Sequence, residues 1–360
     1  MKKKANILAA ALLAALLLLL FPACGHEPVV KTVLVMDTVA QLTAVDGEAG
    51  AAVDESIALL QRLDRIAGTG EESDAARLAA AAGTGAWVEI SPEVYEMLAA
   101  AQDWAARTDG AFDVTAGPLV ALWGIGTDRA RVPAPEEIAA ARSHVGWQRL
   151  ELAGDGQRAR LRSPGMAIDL GGIAKGYALD AVRAIYAAHG VKNGMISLGG
   201  SSLYALGKNE HGDDWRIGIR APRGETAQDY LGILPISDAA LSSSGDYERY
   251  FEQDGQRYHH ILDPRTGAPA SSGLYGVTVI LRGDHAGMMS DLLTTALFVL
   301  GEEKGRALLK AADLPATVLF ISPDTTAAYR LGEVLPAGGA SLQCILQKQA
   351  AGVRWEEGTP

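Results

Sequence analysis

The stretch Asp169-Leu170-Gly171-Gly172-Ile173-Ala174-Lys175-Gly176-Tyr177-Ala178-Leu179-Asp180 reads as a strand end, a tight turn and a helix start. Ile168 to Leu170 closes the expected strand. Gly171-Gly172 lets the backbone turn sharply and approach a ligand closely. A helix follows, with Ile173, Tyr177, Ala181 and Ile185 on or near one face. Its first amides have no helical partners and sit at the positive end of the dipole, which suits a phosphate. Lys175 adds a point charge in the first turn. Taken alone, the same residues also describe an ordinary strand–turn–helix connection with an exposed lysine.

A second stretch, Ser290-Asp291-Leu292-Leu293-Thr294-Thr295, opens another expected helix, 290–300. Asp291 and Thr295 are four residues apart and share a face. A carboxylate, a hydroxyl and a nearby carbonyl are hard oxygen ligands of the kind Mg²⁺ takes. The plainer reading has Ser290 capping the helix, Asp291 complementing its dipole and Thr295 bonding back to a carbonyl. Together the two stretches suggest a metal–pyrophosphate site.

Two further stretches carry chemistry. Ser242-Ser243-Ser244-Gly245 is followed by His259-His260-Ile261-Leu262-Asp263-Pro264-Arg265-Thr266-Gly267. Adjacent histidines on a strand face opposite sides, so at most one enters a given pocket. No zinc spacing accompanies them. Asp263 to Gly267 is turn chemistry. Earlier, Gly110-Ala111-Phe112-Asp113 offers a turn whose ring could flank a flat ligand, or simply be buried.

Around these motifs the chain alternates strands and helices. Thr32–Val45 reads as a strand or hairpin, Ala52–Ile66 as a helix, and Ser91-Pro92 as a capped helix start with Val94, Met97, Leu98, Ala101 and Ala105 on one face. Pro133–Ala141 is a further helix, Arg149–Arg162 a hairpin, and 277–281 and 316–321 are strands. The expected fold is α+β, with mixed or antiparallel sheets, packed helices and a ligand cleft between the sheet and helix halves. A single domain spans 32–346, and 347–360 form a polar tail. The net charge of -11 excludes nonspecific binding to nucleic acid.

The N-terminus reads as an export signal over residues 1–23. Lys2 to Lys4 precede the apolar run Ile7–Leu20, and Phe21-Pro22-Ala23-Cys24 resembles a lipobox. Cys24 is then the lipidated residue, 24–31 a tether, and the protein is exported and anchored to a bacterial membrane, facing the periplasm or cell exterior. An uncleaved anchor and plain secretion are the alternatives. Only Cys24 and Cys344 are present, so lipidation leaves Cys344 without a disulfide partner.

From about Thr32 to Ile345 the four stretches, in this order, resemble the FAD:protein FMN transferase family, the ApbE-type flavin transferases. The resemblance implies an ApbE-like fold and Mg²⁺-dependent transfer of FMN from FAD to a Thr or Ser hydroxyl of an acceptor protein, with release of AMP. The implied acceptors are flavin-carrying subunits of membrane redox complexes. It implies Mg²⁺ ligands at the Gly172 carbonyl, Asp291, the Thr294 carbonyl and Thr295. Implied FAD contacts are Met36, Ala111, Phe112, Asp113, Asp169, Lys175, Ser244 and Ile261. Lys175 stabilises charge, and His260 is the first candidate base, with Asp291 second. A Mg²⁺-dependent FAD pyrophosphatase and a flavin-binding lipoprotein without catalysis are the competing readings. The chain departs from the family pattern in three places. Met36-Asp37-Thr38 stands for Met-Gly-Thr, Thr69 stands where an aromatic is common, and Ser243 replaces a Thr.

Overall fold

The computed structural model describes residues 27–154, 156–226, 229–323, 326–331 and 353–357. The expected signal segment 1–23, Cys24 and Cys344 lie outside the described residues. Among the described residues nine strands form one sheet whose spatial order follows chain order. They are β1 (Val29–Val35), β2 (Thr38–Ala44), β3 (Gly194–Leu198), β4 (Ser202–Leu206) and β5 (Ala239–Gly245). Then come β6 (Gly276–Leu281), β7 (Ala316–Ile321), β8 (Thr326–Leu331) and β9 (Val353–Glu357). Every neighbouring pair is antiparallel except β8 and β9, which run parallel.

Burial follows from the sequence pattern. β1 and β2 alternate, with one face packed and one open. β6 and β7 are buried on both faces, and they read as unbroken runs, Gly-Val-Thr-Val-Ile-Leu and Ala-Thr-Val-Leu-Phe-Ile. The described helices are α1 (Ala49–Ala67), α2 (Asp74–Ala80), α3 (Pro92–Arg107), α4 (Gly117–Trp123), α5 (Pro135–Ser143), α6 (Ala174–Ala188) and α7 (Ala286–Ala312). The main core joins α1, α3, α6 and α7 to one sheet face through Leu42, Leu60, Met97, Leu179, Ile196, Val277 and Leu293. On the other face, an arm of two strands, Trp215–Arg220 and Tyr230–Ile236, covers the sheet centre with a second core around Leu241 and Ile280. A third cluster holds Leu119 and Trp123 of α4 against Leu262.

The α+β expectation is met, and several local expectations are corrected. Strand β1 begins at Val29, so three residues of the expected tether belong to the sheet. Val353–Glu357 of the expected tail pairs with β8. No strand forms over 168–170. Its neighbour Ala167 makes a single parallel bridge to Ala116, and Asp169 N donates to Val114 O at 2.7 Å. The buried stripe of α6 is Ala178, Leu179, Val182 and Tyr186, one residue (about 100°) round from the expected face. Ser91 occupies the N-cap of α3 but makes no side-chain cap, and its own amide donates to Asp74 Oδ2 instead. Helix α7 begins at Ala286, four residues before Ser290, and breaks at Gly301 (φ 78°).

Candidate functional site

The site forms where α6 crosses the first turns of α7. Two glycines permit the crossing. A Cβ on Gly176 would collide with the Gly287 carbonyl oxygen and lie 2.6 Å from Asp291 Cβ. A Cβ on Gly287 would lie 2.5 Å from the Gly176 carbonyl oxygen. With no side chain between the helices, Gly176 N donates to Asp291 Oδ2 at 2.9 Å. Asp180, one turn further along α6, accepts the Gly287 and Met288 amides at 2.9 and 2.8 Å, and so caps α7 from a neighbouring helix. Burial pushes the Asp180 carboxyl up, against the pull of these two amides.

Asp291 is almost completely buried, yet its charge is well supported. Besides Gly176, Ser202 Oγ donates to Oδ1 at 3.1 Å, and Lys175 Nζ stands 3.8 Å from the same oxygen. Lys175 also donates to the Gly171 carbonyl at 3.2 Å. The lysine therefore bridges the glycine turn and the acidic helix. Asp169 Oδ1 accepts Gly171 N at 2.8 Å, which fixes the turn from its first residue. At Gly172 a Cβ would sit 3.2 Å from the Phe112 ring and 3.4 Å from Thr295 Oγ1. The turn, the ring and the α7 hydroxyl thus share one narrow space.

Hydroxyls pin α7 to the sheet beneath. Ser244 Oγ donates to Thr294 Oγ1 at 2.8 Å, and Thr294 Oγ1 donates to the Asp291 carbonyl at 2.7 Å. Ser242 and Ser290 hydroxyls meet at 2.9 Å, and Ser290 Oγ also donates to the Gly287 carbonyl. The Ser290 hydroxyl therefore works inside the helix rather than as its cap.

Other expected residues fall in different places. Asp113 spends its carboxylate on protein partners: Oδ1 accepts the Thr115 amide and hydroxyl of its own turn at 2.8 and 2.7 Å, and Oδ2 ties that turn to the Trp147 amide at 2.9 Å. Burial raises its pKa despite these donors. Ala111 and Ile261 are both buried. Met36 and Asp37 form the two-residue turn between β1 and β2, at φ 55° and 54°, the signs a type I′ turn requires. That turn lies at the same sheet end as Asp291. Gly199 N donates to Val39 O, and Ser202, three residues on, reaches the carboxylate.

The two histidines diverge as alternation requires. His259 is buried, donates from Nε2 to the Ala270 carbonyl at 3.1 Å, and meets the Phe298 ring edge-on. His260 is half-buried and donates from Nδ1 to the Arg249 carbonyl at 3.2 Å, which leaves Nε2 as an acceptor. Enclosure, with Arg249 next in importance, pulls its imidazole down to about 3, and the Lys175 charge contributes in the same direction.

A divalent cation fits this donor set. Among the described residues no three His, Cys, Asp or Glu side chains converge as a metal cluster. Mg²⁺ does not need one, because it binds through one or two carboxylates, waters and substrate phosphates. Asp291 has lone pairs beyond those used by Gly176 and Ser202. The Gly172 and Thr294 carbonyls and the Thr295 hydroxyl are the remaining oxygens in the expected set. Sequence reasoning overlooked Ser202, Gly176, Gly287 and the capping role of Asp180. One signal was available: glycine inside a helix costs about 1 kcal/mol against alanine, so Gly176 marked a close approach.

Comparison with known proteins identifies the family and the fold. The profile of the ApbE family matches residues 36–320. The chain is 37% identical over 294 residues to the FAD:protein FMN transferase of Treponema pallidum, spanning 77% of this chain and 78% of that one. It is 41% identical over 223 residues to a FAD:protein FMN transferase of Klebsiella pneumoniae, spanning 62% and 67%. The flavin transferase ApbE from Vibrio cholerae superposes with a TM-score of 0.73 at 30% identity, covering 84% of this chain and 97% of that one. The apo form of Pseudomonas stutzeri flavinyl transferase ApbE gives 0.71 at 36%, covering 83% and 93%.

Proposed function

Because the chain belongs to the ApbE family, we propose that it transfers FMN from FAD to a Thr or Ser hydroxyl of an acceptor protein, with Mg²⁺, releasing AMP. The observation that carries this reading is the meeting of Gly172, Lys175, Asp291 and Thr295 at the α6–α7 crossing. Asp291, Thr295 and the Gly172 and Thr294 carbonyls would hold the cation. Bound there, Mg²⁺ would offset diphosphate charge and polarise the phosphorus for attack. Lys175 places a second positive charge between the turn and the helix. The acceptor oxygen bonds to the FMN phosphorus, the bond to the bridging oxygen breaks, and AMP leaves with the electron pair.

The acceptor hydroxyl must lose its proton. His260 has the right protonation state, neutral with a bare Nε2. An imidazole near 3 is a weak base. A diphosphate anion beside it favours the charged form and raises its basicity when substrate is present. Phe112 closes one side of the space, and Gly172 leaves room for the phosphate chain.

We also propose that Cys24 carries the lipid, and that the acceptors are flavin-bearing subunits of membrane redox complexes outside the cytoplasm. The test is incubation of the full chain with FAD, Mg²⁺ and an acceptor protein. The expected result is an acceptor heavier by one FMN and an equal amount of AMP. Rapid AMP release without acceptor would make water the nucleophile and the chain a pyrophosphatase. Retained FAD with no AMP would leave a flavin-binding lipoprotein.

A further inference from the structure

The sheet face opposite α1, α6 and α7 is covered over its centre by the 215–236 arm, but the β1–β2 hairpin extends beyond that cover. Its outward side chains are Val30, Thr32 and Leu34 on β1 and Val39, Gln41 and Thr43 on β2. None carries a charge. Among the described residues seven large apolar side chains are exposed, and three of them lie here: Val30 at 49%, Leu34 at 80% and Val39 at 51%. The opposite face of the hairpin is different. There Lys31 pairs with Asp54 of α1, and α1 itself presents Asp54, Glu55 and Arg62. Exposed apolar groups gathered in one place, rather than scattered, mark a contact surface.

Chain length says what covers it. Four residues, Gly25 to Pro28, lie between Cys24 and Val29, so the five chain steps reach at most about 18 Å when fully extended. A lipid on Cys24 therefore holds β1 close to the bilayer surface. Of the two faces near the attachment point, the charged one keeps its water, and the uncharged one, with Val30, Leu34 and Val39 outermost, gives it up at a smaller cost. We infer that the outward face of the β1–β2 hairpin rests on the lipid bilayer and fixes how the enzyme stands on the membrane. This rests on the proposed membrane attachment at Cys24. The Met36-Asp37 turn ends the same hairpin, at the sheet end that holds Asp291, so the mouth of the site faces along the membrane. A hydroxyl on a membrane-embedded acceptor is then delivered from the side.

The test uses the full lipidated chain in a C344S background, reconstituted on phosphatidylcholine vesicles with a nitroxide quencher in the headgroup region. An environment-sensitive dye is placed at L34C, or at Q61C on α1 as reference. The expected result is flotation of both variants with the vesicles, loss of most L34C fluorescence to the lipid quencher, and little loss at Q61C. On these zwitterionic vesicles the L34C quenching should be unchanged by salt, because the face has no charge. Failure of the chain to float overturns the anchor, and the inference with it. Flotation with L34C as open to aqueous iodide as Q61C overturns the inference alone. Protection from iodide without lipid quenching, together with a dimer mass in detergent, means that a second copy covers the face and also overturns it.

Discussion

Replacing Asp291 with Asn separates charge from shape at the heart of the site. Oδ2 accepts the Gly176 amide at 2.9 Å and Oδ1 accepts Ser202 Oγ at 3.1 Å. Asn can satisfy both partners: its oxygen takes the amide, and its NH₂ donates to a Ser202 hydroxyl turned to accept. What disappears is a negative charge 3.8 Å from Lys175 Nζ, in side chains 22% and 8% exposed for Lys175 and Asp291. At an effective dielectric of about 20 that attraction is about 4 kcal/mol, before the desolvation of both ions is subtracted. Lys175 keeps its bond to the Gly171 carbonyl and some water, so the net stability loss should be about 1–3 kcal/mol. Transfer should suffer more, because the carboxylate is the only charged oxygen donor expected at the cation, and one lost electrostatic contact in a closed site costs about 10²–10³-fold. Mass spectrometry of the acceptor over a Mg²⁺ titration measures the rate, and thermal unfolding measures the fold. D291N with the parental rate and the parental Mg²⁺ dependence would refute the assignment. A collapsed fold with the rate retained in the folded fraction would make Asp291 a structural pin only.

Three further outcomes are expected. G176A should lose at least about 1–3 kcal/mol, because the new methyl meets the Gly287 carbonyl and α6 must move off α7; an unchanged unfolding midpoint would contradict the crossing geometry. His260 has a folded value near 3 against 6.5 unfolded, so the unfolded chain binds the extra proton between them. Its contribution is complete above 6.5 and is lost as pH falls toward 3; H260Q should flatten that acid limb in urea melts, and a limb identical to the parent would argue against it. His189 is the opposite case. Its ring nitrogens meet Glu55 at 2.7 Å and Glu48 at 3.1 Å, and these carboxylates, Glu55 first, raise its pKa. That contribution is present below 6.5 and fades as pH rises through the folded value, so H189Q should lower the melting temperature on the acid side and leave alkaline melts unchanged.

How much of this was legible depends on which forces acted locally. Apolar periodicity located α1, α3, β6 and β7, because each buries a face or a whole segment and the pattern has nowhere else to come from. Asp291, Thr294, Thr295, Lys175 and Gly172 were each visible as residue types, and i, i+4 spacing put Asp291 and Thr295 on one face. Their meeting was not visible in spacing alone, since α6 and α7 are about a hundred residues apart and no local rule brings them together. The order of all four motifs, read as a resemblance, supplied that link. The start of α7 was misplaced because its cap is Asp180, on another helix, and capping rules look only a few residues upstream. The α6 stripe was rotated for a related reason. Gly176 faces inward as an absence of side chain, and a hydrophobic count gives an absence no weight.

The departures from the family pattern carry a final physical point. A type I′ turn needs positive φ at both central residues, and glycine in the second position supplies it without strain. Asp37 adopts φ 54°, and Asp is among the few residues with a side chain that visit this region routinely. The substitution therefore preserves the shape of the turn and adds one exposed carboxylate at its tip. Met36 stays where the hairpin geometry puts it, half-buried against the main core. Thr69 behaves differently. It lies exposed between Gly68 and Gly70, and nothing in the local backbone replaces the flat surface an aromatic would offer. The two changes are alike as sequence differences, yet only the loss at Thr69 removes something a ligand could rest on.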